Sequence, residues 1–224
     1  IGNPHKLRDE NLAPMPRTRH SVQVHRREYY AIITHMDAQI GRVLDELKKS
    51  GKEKNTYIVF TADHGLAVGK HGLFGKQNMY DHSVRVPFVV VGPGVAPGAA
   101  NNAPIYLQDV IPSSLGWAGA KTPDYVQFES IQPHLDGKGK KRDYVYGAYL
   151  GVQRSITEGG YKLIYYPRAN NALRLYKVSE DPHEVNDLIK NGGAATEAVA
   201  TRLWKRLQAV QGEFGDSLTL VRSP

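Results

Sequence analysis

The sequence predicts an α/β core followed by a small antiparallel α+β subdomain. In the first part, an amphipathic helix over residues 29–49 precedes a β-branched and aromatic run at 56–61. Such a run is typical of a strand buried on both faces of a parallel sheet. Beyond residue 141 the pattern changes to short strand-like segments separated by turns. We therefore expect an irregular lead-in at 1–22, the α/β part at 23–138 and the subdomain at 139–224.

Further elements follow the first strand in order. A second apolar run at 86–91 ends in Gly92-Pro93-Gly94 and precedes a predicted helix at 107–117. The subdomain should contain four strands with a turn after the second, at Glu158-Gly159-Gly160, and a closing amphipathic helix at 196–214. The four predicted strands cover residues 144–149, 154–157, 161–166 and 174–178.

Composition excludes several classes of function. The 224 residues contain no cysteine, so disulfides, thiolate zinc sites and a cysteine nucleophile are excluded within them. No stretch approaches the roughly 18 apolar residues of a membrane helix, and we predict no membrane partner. The net charge of +7 favours anionic partners. The basic residues are scattered without interleaved aromatic residues, so we predict no nucleic-acid surface.

The polar segment directly after the first strand carries the candidate chemistry. Asp63 and His64 lie where ligands bind in open α/β sheets, beyond the carboxyl end of a strand. Their carboxylate and imidazole can both reach one divalent ion if the chain turns at Gly65. Alternatively, Asp63 caps the next turn and His64 makes an ordinary hydrogen bond.

The wider segment favours a binding loop. Four glycines and five ionisable side chains occur between Asp63 and Lys76, as expected of a loop that closes around an anion or a metal. Lys76 would supply positive charge to an anionic substrate or transition state. The alternative for Lys76 is a solvated surface lysine.

The sequence also resembles a known family. Residues 57–65, the His71-Gly72 pair, Lys76 and residues 80–88 resemble the central part of sulfatases in order and spacing. Weaker similarity at 29–41, 161–164, 175–176 and 181–184 extends the resemblance from about residue 28 to 188. It implies the C-terminal part of an alkaline-phosphatase-like α/β sandwich, with the small antiparallel subdomain attached.

The resemblance also implies roles for individual residues. Asp63 and His64 match part of a metal site that holds calcium, with manganese as the alternative, and Lys76 matches a lysine that contacts the sulfate. The family's nucleophile is a formylglycine made from a Cys/Ser-x-Pro/Ala-x-Arg motif, which these 224 residues lack. We therefore expect the isolated chain to be inactive, with the nucleophile upstream in a missing N-terminal part of the same protein.

The first hypothesis is a sulfuric ester hydrolase that acts on a sulfated small molecule or glycan. Because sulfatases of this kind are usually exported, we expect a periplasmic or extracellular location. One alternative is a phosphonate monoester or phosphodiester hydrolase of the same superfamily, since a histidine at position 64 also occurs there. The other is a non-catalytic module that binds anionic glycans, which would need no nucleophile.

Overall fold

The computed structural model describes residues 8–13 and 15–222, and these residues form two antiparallel sheets and several helices. The predicted mixed α and β class is confirmed. No helix in these two ranges is long and apolar enough to cross a membrane. The helices are α1 (Arg19–Lys49), α2 (Asp81–Val84), α3 (Val110–Trp117), α4 (Gln132–Leu135), α5 (Leu188–Asn191) and α6 (Ala194–Glu213). The strands are β1 (Ile58–Thr61), β2 (Phe88–Val91), β3 (Tyr144–Tyr149), β4 (Gln153–Glu158), β5 (Tyr161–Tyr166) and β6 (Ala172–Tyr176).

The first helix starts earlier than its apolar stripe predicts. It begins at Arg19 rather than at position 29, because the Thr18 side chain caps it by accepting a hydrogen bond from the Ser21 amide. The expectation of irregular structure up to residue 22 is therefore wrong for residues 19–22. Residues 8–12 form a 3-10 turn. The first seven residues of the predicted lead-in, and Pro14, lie outside the described residues.

Much of the apolar stripe of α1 is exposed within the described part of the chain. None of its residues is buried, and large side chains such as Ile32 and Val43 are 65% and 69% exposed. Burial of one such side chain contributes about 1.5–3 kcal/mol, so a long uncovered stripe represents a large unused contribution. This face is suited to contact with further protein.

The first two strands correct one prediction. β1 pairs with β2 in antiparallel register, with Ile58 opposite Val91 and Thr61 opposite Phe88. Phe60 and Val89 are half exposed, so neither strand is buried on both faces of a parallel sheet. A continuous apolar run does not encode the direction of its neighbour, which explains the error. The second strand begins only at Phe88, because Pro87 has no amide proton to donate.

The principal core lies in the subdomain, between one face of the four-stranded sheet and α6. The sheet has the order β3-β4-β5-β6, and the predicted meander is confirmed. Gly159 and Gly160, both at positive φ, form the turn between β4 and β5. Tyr165 meets Trp204 edge to face at 5.1 Å between ring centroids. The fully buried members of this core are Ile156, Leu163, Tyr165, Leu175, Ala200, Leu203, Leu207 and Val210.

The opposite face of the same sheet carries the loop that follows β1. Successive side chains of a strand point to opposite faces, so Ile164 and Tyr166 lie away from α6 and form a second cluster. The loop contributes Ala67, Leu73, Met79 and Tyr80 to this cluster, and all four are buried. The candidate site is therefore packed directly against the subdomain.

Candidate metal and anion site

The structure brings the three predicted site residues together at the end of β1. The Oδ2 atom of Asp63 lies 3.2 Å from Nε2 of His64, and the same Nε2 lies 2.5 Å from Nζ of Lys76. The side chain of Asp63 is 81% exposed and that of His64 is 30% exposed. A carboxylate, an imidazole and an ammonium group thus converge at a surface that remains open to solvent.

The hydrogen bonds of His64 orient its ring. Nδ1 donates to the Gly65 carbonyl oxygen at 3.1 Å, which leaves Nε2 with its lone pair directed toward Lys76. A backbone acceptor on one ring nitrogen commonly orients the other as a metal ligand. The Asp63 carboxylate is also held locally, since Oδ1 accepts from the His64 amide at 3.0 Å. This bond joins adjacent residues and leaves Oδ2 accessible.

The pair fits part of a metal site. Two ligand atoms 3.2 Å apart can contact the same cation once the cation displaces the Lys76 ammonium from Nε2, because protein ligands lie about 2.0–2.6 Å from zinc or calcium. Across residues 8–13 and 15–222, no cluster of three or more His, Asp or Glu side chains is placed to hold a metal. Asp63 and His64 can therefore supply two ligands, and a complete site needs others.

Gly65 fixes the turn after the pair by close contact with α2. Its amide donates to the Ser83 carbonyl oxygen at 2.9 Å, and an added Cβ would lie 2.0 Å from the His82 carbonyl oxygen. This distance excludes every side chain larger than hydrogen unless the backbone moves. The requirement for glycine here is one of space, whereas the sequence suggested only a flexible turn.

Sequence analysis missed a buried carboxylate that holds the loop before Lys76. Glu10 accepts hydrogen bonds from the backbone amides of Phe74 and Gly75 at 3.1 and 3.0 Å. Arg17 pairs with this carboxylate and donates to the Gly72 carbonyl oxygen at 2.6 Å. Both side chains are at least 94% buried. No sequence signal marked them, because their contacts with the loop span 55 to 65 residues of chain.

His82 is a second residue that sequence analysis did not single out. Its Nε2 atom is buried and has no hydrogen-bond partner among the described residues. The ring lies beside Tyr80 and His71, with centroid distances of 5.6 and 5.7 Å. Burial lowers the pKa of His82 from its ordinary 6.5 to about 3, and the neighbouring His71 and Lys70 act in the same direction. Burial also lowers the pKa of His71.

We expect stability to fall in acid partly through His82. A depressed pKa in the folded state means that the stabilising contribution is complete above pH 6.5 and is lost between pH 6.5 and about 3. The unfolding free energy should decrease over that window with a slope approaching about 1.4 kcal/mol per pH unit for one proton. Denaturant unfolding at several pH values should show a shallower slope for His82→Asn. The exposed His35→Asn should match the wild type, and an unchanged slope in His82→Asn would contradict the assignment.

The three site residues face a wide groove, which we call the site groove. Beside Asp63, His64 and Lys76, it is lined by the loop at 95–108 and by β3 up to Tyr149. Gln77, directly after Lys76, hydrogen-bonds to the Tyr149 hydroxyl. The groove offers room for a substituent much larger than an inorganic anion next to the charged cluster.

Two family models match the chain. A sulfatase model matches residues 4–120, and a model of the N-sulphoglucosamine sulphohydrolase C-terminal region matches residues 69–213. The chain belongs to the sulfatase family. Together the two matches extend from the lead-in to the end of α6, which confirms the resemblance described from the residues alone. The roles of the individual site residues are not tested by this membership and stay predictions.

Individual relatives support the same family. The chain is 30% identical over 208 residues to the N-acetylglucosamine-6-O-sulfatase of Bacteroides thetaiotaomicron, covering 87% of this chain and 37% of that protein. A structure solved in complex with its substrate D-glucosamine-2-N,6-O-disulfate superposes with a TM-score of 0.81 at 28% identity, over 88% of this chain and 42% of the other.

A related hydrolase has a similar fold. The phosphonate monoester hydrolase of Silicibacter pomeroyi superposes with a TM-score of 0.78 at 25% identity, over 94% of this chain and 45% of the other. In each comparison this sulfatase-family chain spans less than half of the matched protein. The matches therefore show the family of this chain but not the activity or the substrate of the whole protein.

Proposed function

We propose that this chain forms the C-terminal part of a sulfuric ester hydrolase and supplies two metal ligands and a substrate-binding lysine to its active site. The observation that carries the proposal is the convergence of Asp63, His64 and Lys76 at the end of β1, in a chain of the sulfatase family. Each group matches a requirement for cleaving an ester that carries a negative charge. The site groove beside them gives space for the alcohol portion of the substrate.

The residues of this chain would act through charge and orientation. The Lys76 ammonium would bind an ester oxygen and stabilise the charge that develops as the ester bond breaks. Asp63 and His64 would hold a divalent cation, which when bound neutralises sulfate oxygens. The Asp63 carboxylate suits calcium, and the imidazole of His64 keeps manganese as the alternative. Glu10 and Arg17 would keep the loop backbone in place while the substrate enters.

We propose that the nucleophile lies in a part of the enzyme outside these 224 residues. The 224 residues hold no Cys/Ser-x-Pro/Ala-x-Arg motif, which is the precursor of formylglycine. The uncovered stripe of α1 supports an association with a further part of the same protein, because its apolar side chains would then be buried. The 224-residue chain alone should be inactive. We further propose that the complete enzyme is exported to the periplasm or the extracellular space.

A sulfated glycan is the substrate class that we favour. One relative acts, by its name, on N-acetylglucosamine 6-sulfate groups, and the similar solved structure holds a glucosamine disulfate. The site groove leaves space for a sugar ring next to Lys76. A phosphonate monoester hydrolase is the second candidate, because an enzyme of that name shares the fold over 94% of this chain.

The decisive experiment compares the two ester classes. The full-length protein would be produced together with a formylglycine-generating enzyme and assayed on 4-nitrophenyl sulfate, on sulfated glucosamine and on a phenyl phosphonate ester. We expect the sulfates to be hydrolysed with the higher kcat/KM, and activity lost to a chelator to return with Ca²⁺ or Mn²⁺. Preferential hydrolysis of the phosphonate would select the second candidate. Binding of sulfated glycans without any turnover would favour a non-catalytic module.

A further inference from the structure

Two buried charged side chains, Lys162 and Glu184, meet the partly buried Asp81 where the subdomain contacts α2. The Lys162 ammonium lies 2.6 Å from Oε1 of Glu184 and contacts the carboxylate of Asp81. The side chains of Lys162 and Glu184 are 3% and 1% exposed. The other oxygen of Glu184 accepts the backbone amide of Asp81 at 2.7 Å. We call these three residues the ion triad.

Stability alone is a poor reason for such an arrangement. Removing two charges from water costs several kcal/mol for each ion, and well-packed apolar residues are often equally stabilising or more so. Lys162 moreover interrupts the otherwise apolar and aromatic strand β5. A role in holding α2 and the loop before it in place would account for the triad.

The triad connects to the candidate site through the backbone of α2. Asp81 is the first residue of this helix, and the Ser83 carbonyl oxygen of the same helix accepts the Gly65 amide at 2.9 Å. Gly65 also contacts the His82 carbonyl oxygen so closely that no side chain fits between them. A displacement of α2 must consequently move Gly65 and, with it, the two residues that precede it.

Strand β4 holds the segment that leads from Lys76 into α2. The Gln153 side chain of β4 accepts the Met79 amide at 3.1 Å and donates to the Gln77 carbonyl oxygen at 3.1 Å. The Lys162 ammonium additionally donates to the Met79 carbonyl oxygen at 3.3 Å. The segment between the candidate lysine and α2 is thus attached to β4 at Gln77 and to both β4 and β5 at Met79.

We propose that Lys162 and Glu184 are positioning residues, which set the position of Asp63 and His64 through α2 and Gly65. The expected effect on catalysis rests on the proposed function. The link from the triad through α2 to Gly65 is a property of the fold and does not depend on it. The subdomain would then be a part of the catalytic apparatus, although it contributes neither of the two candidate metal ligands. Its sheet would provide the rigid support against which the binding loop is aligned.

The test uses a variant that separates positioning from stability. Lys162→Met alone leaves Glu184 buried without its cation and should lower the melting temperature. The double variant Lys162→Met/Glu184→Met removes both buried charges at similar volume, so its melting temperature should return toward that of the full-length wild type. Glu158→Gln, which breaks the Arg202 and Arg206 ion pairs of the same sheet away from α2, is the matched control.

Amide hydrogen exchange gives the readout. In the double variant we expect the amides of Gly65 and Asp81 to exchange at least about tenfold faster than in the wild type. Turnover of 4-nitrophenyl sulfate should fall by about 10- to 100-fold in kcat, as a small misplacement of catalytic groups produces. The control should change neither quantity.

The outcomes distinguish this inference from the proposed function. Exchange of the Gly65 amide at the wild-type rate in the double variant would overturn the positioning role, whatever the activity. Accelerated exchange in a full-length protein that hydrolyses no sulfate ester would retain the mechanical link and reject the sulfatase proposal. Accelerated exchange with undiminished kcat would limit the triad to a structural role and overturn the inference.

Discussion

Replacement of Lys76 by alanine in the full-length, formylglycine-containing protein should lower kcat for a sulfate ester by about 10²- to 10³-fold. The ammonium lies 2.5 Å from Nε2 of His64, beside the accessible oxygen of Asp63. It is therefore placed to meet an anion held at the same point. A cation that acts mainly on developing charge should affect kcat more than KM.

Lys70→Ala provides the matched control for this experiment. Lys70 is an exposed lysine of the same loop, so its loss changes the net charge equally without removing a group from the cluster. We expect its kcat to remain close to that of the wild type. If both lysine variants lose activity equally, Lys76 acts only through general electrostatic attraction, and if neither does, its catalytic assignment is wrong.

Replacement of Gly65 by alanine should have the largest effect on the loop itself. The new Cβ would lie 2.0 Å from the carbonyl oxygen and 3.1 Å from the carbonyl carbon of His82, both of which are backbone atoms. Neither can rotate away as a flexible side chain could. The hydrogen bond from Gly65 to Ser83 must lengthen to relieve the contact. We expect the free energy of unfolding to fall by about 1–3 kcal/mol.

The measurement for Gly65→Ala combines denaturant unfolding with calcium titration of the full-length protein. Weaker calcium binding should accompany the lost stability, because the same displacement moves Asp63 and His64. Gly116→Ala is the control, since no atom lies within 4 Å of a Cβ added at that helical position. It should be neutral or slightly stabilising. Full stability together with wild-type calcium affinity in Gly65→Ala would contradict the close packing seen here.

Local patterns in the sequence are enough to predict the local elements and the residues of the candidate site. The strands β3 and β5 have the bounds that apolar patterning and turn glycines predict. Asp63, His64 and Lys76 were selected from their place after a strand, within a glycine-rich loop, and the structure brings them together. Strand bounds and a binding loop depend on residues a few positions apart, so the spacing of apolar residues and the turn glycines encode them.

Contacts between residues far apart in the sequence become visible only in the folded chain. No local pattern shows three of these contacts. They are the antiparallel pairing of β1 with β2, the hydrogen bond from the Gly75 amide to Glu10, and the hydrogen bond from the Asp81 amide to Glu184. The last two join residues 65 and 103 positions apart. A charged residue in an apolar strand, such as Lys162, predicts that some partner exists but does not identify it. The partner is chosen by packing, because a buried charge is tolerated only where the fold places opposite charge beside it.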